Sequence, residues 1–149
     1  MSDADREGGQ VGGIEAVALG VLVLVVGSLL VANAWAVIDA KSAAGAAARE
    51  AARAYVEATD GAVAVSEGQD AADAALEGHG RDPARLQLRW SGSRFARCAR
   101  VTAEARYPVP MLVLPFLRRG PAFTVAARHS EVVDPYRSDL PGKADCAPA

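Results

Sequence analysis

Between Ala16 and Ile38 the chain runs for 23 residues, "AVALGVLVLVVGSLLVANAWAVI", without a charged side chain. In an α-helix rising about 1.5 Å per residue, that run reaches roughly 35 Å, enough to cross a hydrocarbon core of about 30 Å. One transmembrane helix is therefore expected. A secretory signal would have a positive leader, a core of about 7–15 apolar residues and a small-residue cleavage site. Here the core is too long, and the leader "MSDADREGG" sets Asp3, Asp5 and Glu7 against Arg6. Lys41, Arg49 and Arg53 follow the span, so the positive-inside rule lends no support to a cytoplasmic N-terminus.

The helical signal does not stop with the apolar run. "DAKSAAGAAAREAARAYVEATDG" is rich in Ala, Arg and Glu, which favour helix, and Gly61 offers a C-terminal stop. A single helix over residues 14–58 would be about 68 Å long, with roughly half of it beyond the lipid. The outer half carries only Tyr55 and Val56 as larger apolar groups, and small residues permit close approach of a packing partner. "VAVSEGQDAADAALEGHG" predicts a short second helix over Gln69–Glu77, ended by Gly78 and Gly80.

Beyond residue 80 the period changes from helical to alternating. In "ARLQLRWSG", Leu86, Leu88 and Trp90 alternate with Gln87 and Arg89, the pattern of a half-buried strand. "RFARCARVTAEARYPV" offers Phe95, Cys98, Val101, Ala103 and Ala105 as inward positions, and a turn at "SGS" makes the two segments an antiparallel hairpin. "PMLVLPFLRRGP" is interrupted by Pro110, Pro115 and Pro121 and is expected to be an apolar loop. "AFTVAARHSEVV" predicts a third strand with Phe123, Val125 and Ala127 on one face and Thr124, Ala126 and Arg128 on the other. The Pro, Gly and Asp of "DPYRSDLPGKADCAPA" suit a flexible end, tethered only if Cys146 is bridged.

The expected architecture is α+β: a long N-terminal transmembrane helix extending out of the membrane and packed on a small antiparallel sheet of three or four strands. The exposed half of the helix is the only cover foreseen for the sheet's apolar face. The division runs as a leader over 1–13, the transmembrane and extended helix over 14–60, a small extracytoplasmic domain over 61–133, and a tail over 134–149.

Chemistry is sparse. With 149 residues there is room for about one domain. The net charge of -2 and pI near 5.7 show no basic excess of the kind that binds phosphate backbones, so nucleic acid is not an expected partner. His79 lies between two glycines and His129 ends a strand, and both read as structural or solvent-exposed. No HExxH or paired CxxC spacing is present, so neither a metal site nor a cofactor is expected. "GGQVGG" lacks the preceding strand and downstream partner of a phosphate-binding loop and reads as a flexible segment before the helix. Arg94, Arg97, Arg100, Arg106, Arg118 and Arg119 form a basic cluster, read as a solvated strand face or as a contact for lipid headgroups or an acidic neighbour. Cys98 and Cys146 either form one disulfide closing a loop of about 48 residues, which would place the domain outside the cytoplasm, or remain two free thiols. No nucleophile, base or metal constellation can be named, and no enzymatic activity is expected.

Glu15 stands directly ahead of the uncharged run. A helix N-terminus favours a carboxylate in its first turn by roughly 0.3–1 kcal/mol, which suits that position but does not explain the short polar glycine-rich leader before it. Leader, carboxylate and unbroken apolar helix together resemble the class III signal of type IV pilin-like proteins. The resemblance implies removal of the leader by a prepilin peptidase on the cytoplasmic side. It also implies pairing of the glutamate with a neighbour's new amino terminus, an inexpensive way to hold a charge in hydrocarbon. Counting back from Glu15 as the fifth mature residue places the cut between Gln10 and Val11, whereas a cut after Gly9 makes Glu15 the sixth.

The segments "IEAVALGVLVLVVGSLLVANAWAVIDAKSAAGAAAREAARAYVEA" and "VTAEARYPVPMLVLPFLRRGPAFTVAARHSEV" extend this. The "AAREAAR" helix end at Ala47–Arg53, the strand from Val101 into Tyr107-Pro108, the apolar loop Met111–Leu117 and the last strand Phe123–Glu131 are similar to TadE-like proteins of tight-adherence pilus systems. The likeness covers roughly residues 9–133. It implies a minor pilin or pseudopilin in the cell membrane, N-terminus inside and domain outside, with the bilayer, other pilins and tight-adherence assembly proteins as partners. An uncleaved, single-pass envelope protein whose small domain binds a partner is the other reading.

Overall fold

The apolar run and the alanine-rich stretch behind it form one helix in the computed structural model, which describes residues 8–92, 94–111 and 122–146. Helix α1 spans Gly8–Glu57, 50 residues or about 75 Å. It begins six residues earlier than the expected 14, so "GGQVGG" is helical backbone instead of a flexible segment. Glycine costs about 1 kcal/mol per residue in a helix, but the apolar run has already met the cost of nucleation and each added residue gains a backbone bond.

After α1 the chain reverses. The Asp60 carboxylate accepts from the backbone N–H groups of Ala62 (2.7 Å) and Val63 (3.3 Å), fixing the turn into α2, Ala64–Gly78. Ala64, Gly68, Ala72 and Leu76 recur every fourth residue, share one face and are buried. Helix α2 therefore starts before the predicted Gln69. Its first turns are built around Gly68, a residue that propensity alone places outside helices.

A 3-10 turn over Pro83–Arg85 leads into a three-stranded antiparallel sheet in the order β1 (Gln87–Gly92), β2 (Arg100–Pro110), β3 (Ala122–Val132). Leu86 caps the 3-10 turn and lies outside β1. Phe95 and Cys98 fall in the connection between β1 and β2, whereas Val101, Ala103 and Ala105 point inward as expected. Gly92, at φ 129°, closes the ladder: a Cβ there would meet the Arg100 carbonyl oxygen at 2.2 Å.

Strand β2 is central, yet it contains Pro108 and Pro110. Both lie beyond Arg106, the last β2 residue paired with β1. Pro108 has its carbonyl turned to that vacated side, where the Arg85 guanidinium donates to it at 3.1 Å. In an antiparallel strand a residue's N–H and C=O point to the same side. The missing proline donors therefore face a position without a ladder partner, as strand prolines must.

The core joins unlike surfaces. Helix α1 offers Ala40, Ala43, Ala44, Ala47, Ala48, Ala51 and Ala52, all fully buried. Bulk comes from the opposite side, from Tyr107, Val109, Leu76, Leu88 and Trp90. The sheet's cover is therefore not α1 alone, because Ala72 and Leu76 of α2 join the same cluster. A smaller cluster at the far end sets Tyr55 against Trp90 (centroids 5.1 Å) and edge-on to Phe95 (5.6 Å).

Gly68 shows how tight the packing is. A Cβ there would approach the Trp90 ring at 2.6 Å and the Ala51 backbone oxygen at 3.0 Å, whereas one at Gly45 would meet nothing within 4 Å. Gly68→Ala should lose about 1 kcal/mol or more net, overpacking of roughly 1–3 kcal/mol outweighing a helix gain of about 1. Gly45→Ala should gain up to about 1 kcal/mol. Urea unfolding of the two variants in detergent should shift in opposite directions.

Candidate functional site: the exposed span and its junction with the domain

Towards its N-terminus α1 has no cover among the described residues. Val17, Leu19 and every residue from Val21 to Val26 are 40–69% exposed, and Trp35 is 73% exposed. At roughly 1.5–3 kcal/mol per large apolar side chain, leaving them in water forfeits an amount of the same order as the 5–15 kcal/mol that stabilises a whole domain. This part of α1 is long and apolar enough to cross a membrane.

Glu15 lies on this helix with its side chain exposed and without an ion-pair partner among the described residues. The first turn of α1 contains no acidic residue, so the helix-terminus account of Glu15 fails. It stands about two turns inside, past the reach of the exposed amide dipoles. Gly9 and Gln10 belong to the helical backbone of α1.

The junction begins at Asp39, the first charge after the span. The Arg81 guanidinium, delivered by the loop after α2, pairs with the Asp39 carboxylate and reaches the Ala36 carbonyl at 3.5 Å. Arg81 and Arg85 both lie over the buried Tyr107 ring, at 5.6 and 5.5 Å from its centroid. Lys41 donates to the Ala126 carbonyl of β3. These contacts place two cations, Arg81 and Lys41, where α1 leaves its apolar run. Sequence reasoning singled out neither Arg81 nor Arg85; an unpaired Asp39 at the end of a span was the available signal.

At the other end, Arg137 caps α1. Its guanidinium donates to the carbonyls of Val56 (2.9 Å) and Ala58 and stacks on Phe95 at 5.5 Å, satisfying C-terminal carbonyls a helix leaves open. The Arg97 side chain in turn donates to the Arg137 carbonyl at 2.8 Å, and its backbone N–H to Pro141. Residues 134–146 are thus held by more than Cys146, contrary to the expectation of a tail tethered only through a bridge. Cys98 and Cys146 lie at disulfide distance, with Cα atoms 5.1 Å apart.

The basic cluster is dispersed. Arg94 and Arg100 are exposed, Arg97 holds the C-terminal segment, and Arg118 and Arg119 lie outside the described residues. Arg106 joins Arg128, which that cluster did not include, around Glu104 on the outer face of the sheet, at 2.5 and 2.9 Å. Hydrogen bonds from Arg106 and then Arg128 hold the Glu104 carboxyl below its usual range. His129 pairs with Glu131 at 2.9 Å and His79 is exposed at the end of α2. Among the described residues no three His, Cys, Asp or Glu side chains converge on a metal position.

Fold and exposed helix together define an α+β protein with, among the described residues, one helix long and apolar enough to span a membrane. The chain matches no protein-family model, no curated protein and no solved structure.

Because the Glu104 carboxyl is depressed, its stabilising contribution is full above the unfolded carboxylate value of about 4.3. It is lost as pH falls through the lower folded value. Glu104→Gln should therefore flatten the acid limb of the stability profile and leave the neutral-to-alkaline dependence unchanged, read by thermal unfolding from pH 2 upward.

Proposed function

We propose that this chain is a non-enzymatic structural protein of the bacterial envelope, a TadE-like minor pilin or pseudopilin acting in assembly of a tight-adherence type IV pilus. The observation that carries this reading is Glu15: a carboxylate two turns inside an apolar helix, without an ion-pair partner among the described residues. In hydrocarbon such a group needs a counter-charge. A neighbouring subunit's amino terminus, freed by prepilin peptidase after Gly9 or Gln10, supplies one at the same depth. Gly13, Gly20 and Gly27 recur every seven residues with open space around each, and a seven-residue repeat drifts only about 20° around a helix. One side of the span therefore lets another helix approach closely.

The domain accompanies this helix rigidly, since α1 is continuous from span to core. The cysteine pair at disulfide distance suits an extracytoplasmic compartment. Other pilins, tight-adherence assembly proteins and the bilayer are the partners of this reading. A second reading, an uncleaved single-pass anchor with a partner-binding domain, is favoured by one feature: the Gly8–Gly13 segment is helical backbone continuous with the span.

Intact mass and N-terminal sequencing of the native protein, with and without its host's prepilin peptidase, separate the two. Peptidase-dependent loss of the first 9 or 10 residues is the expected result. A full-length N-terminus in both strains would overturn the pilin reading in favour of the uncleaved anchor.

A further inference from the structure

The sheet reaches down the span. Its end, where Val109 pairs with Phe123 and Pro110 with Ala122, stands beside Leu30, Asn33, Val37 and Ile38 of α1. Together they line a groove of about 430 Å³ whose surface is almost wholly apolar. Phe123, at this end of β3, is 55% exposed although it lies on the inward-facing side of its strand. Helix α1 has no charge between Glu15 and Asp39, so every helix residue on the groove belongs to the uncharged run.

The depth follows from helix geometry. Leu30 lies eight residues before Ile38, about 12 Å along the axis. The uncharged run of about 35 Å exceeds a hydrocarbon core of about 30 Å by roughly 5 Å. Even if all of that excess stood on the domain side, Leu30 would remain about 7 Å inside the hydrocarbon. Asn33, the polar residue on the groove, donates its side-chain N–H to the Leu29 carbonyl at 2.8 Å, a bond within its own helix that does not require water. Two cations mark the end of the uncharged run, Arg81 on the Asp39 carboxylate and Lys41 on the Ala126 carbonyl, while Arg85 reaches the Pro108 carbonyl from over the Tyr107 ring.

Resting on the reading of α1 as a membrane span, we propose that the Pro110 and Phe123 end of the sheet is immersed in the adjoining leaflet, lipid acyl chains filling the groove between it and α1. Lipid is the occupant because the groove continues the lipid-facing surface of the helix that forms one of its walls. The domain is then a second membrane contact that sets how deep α1 sits, and is not simply held clear of the bilayer on a stalk.

Spin labels on the full chain in phosphatidylcholine and phosphatidylglycerol nanodiscs test this. Phe123→Cys and Ala122→Cys probe the end of the sheet, Ser130→Cys the opposite end of β3, and Leu24→Cys the middle of the span. Both Phe123 and Ala122 are exposed, so the two positions guard against one variant failing to fold. At positions 122 and 123, collisions with a polar nickel complex should be roughly tenfold fewer than at 130, and collisions with oxygen frequent, because a polar solute is excluded from hydrocarbon. Free access of the nickel complex at 122 and 123, with Leu24 excluded from it, would overturn the immersion and leave the span intact. Nickel access at Leu24 as well would overturn the span itself. Exclusion of both reagents at 122 and 123 would mean that protein fills the groove, and would overturn lipid as its occupant.

Discussion

Alanine on one side of α1 is the constraint on which the rest depends. A helix whose inward face is Ala40, Ala43, Ala44, Ala47, Ala48, Ala51 and Ala52 gives its partners little to interlock with and lets them come close. The shape of the core must then come from the other elements. Tyr107 and Leu76 are among the largest fully buried side chains, and neither belongs to α1. Close approach also explains why α2 carries Gly68 where Trp90 and the Ala51 backbone converge. Among the described residues nothing covers the other half of the same helix, where Val17 to Val26 stand exposed and call for an apolar surrounding.

Charges mark the boundary between the two halves. Asp39 and Lys41 are engaged by the domain as soon as the apolar run ends, and cations over Tyr107 join that junction to the core. The Arg81 Nε is buried without a hydrogen-bond partner, which costs part of what the ion pair and ring contact return. Arg137 at the far end holds α1 through its open carbonyls. The helix is thus gripped at both ends of its packed segment, and movement of the domain would be transmitted along the span.

The span, the continuing helix and the inward set Val101, Ala103, Ala105 and Val125 were legible in the sequence because each rests on local periodicity. Other features depend on distant partners. The start of α2 was missed because packing on Trp90 overrides the low helix propensity of Gly68. Pro108 and Pro110 can lie in a central strand only because β1 begins, at Gln87, opposite Arg106, a fact of register that β2 does not encode. Arg137 lies some eighty residues beyond the carbonyls it caps. Of the proposed processing and assembly site, Glu15 was legible as a charge out of place, but its distance from the helix start was not, since that depends on how far helix propagates into the leading glycines.

The central claim is that α1 is a single rigid element, lipid-covered in one half and domain-covered in the other. A double electron-electron resonance distance between spin labels at the exposed positions Ala18 and Arg53, in nanodiscs, tests it most directly. Thirty-five residues of unbroken helix predict a narrow distribution near about 53 Å. A broad distribution, or one centred well below that length, would mean that α1 breaks at the junction and that the domain is hinged on its anchor.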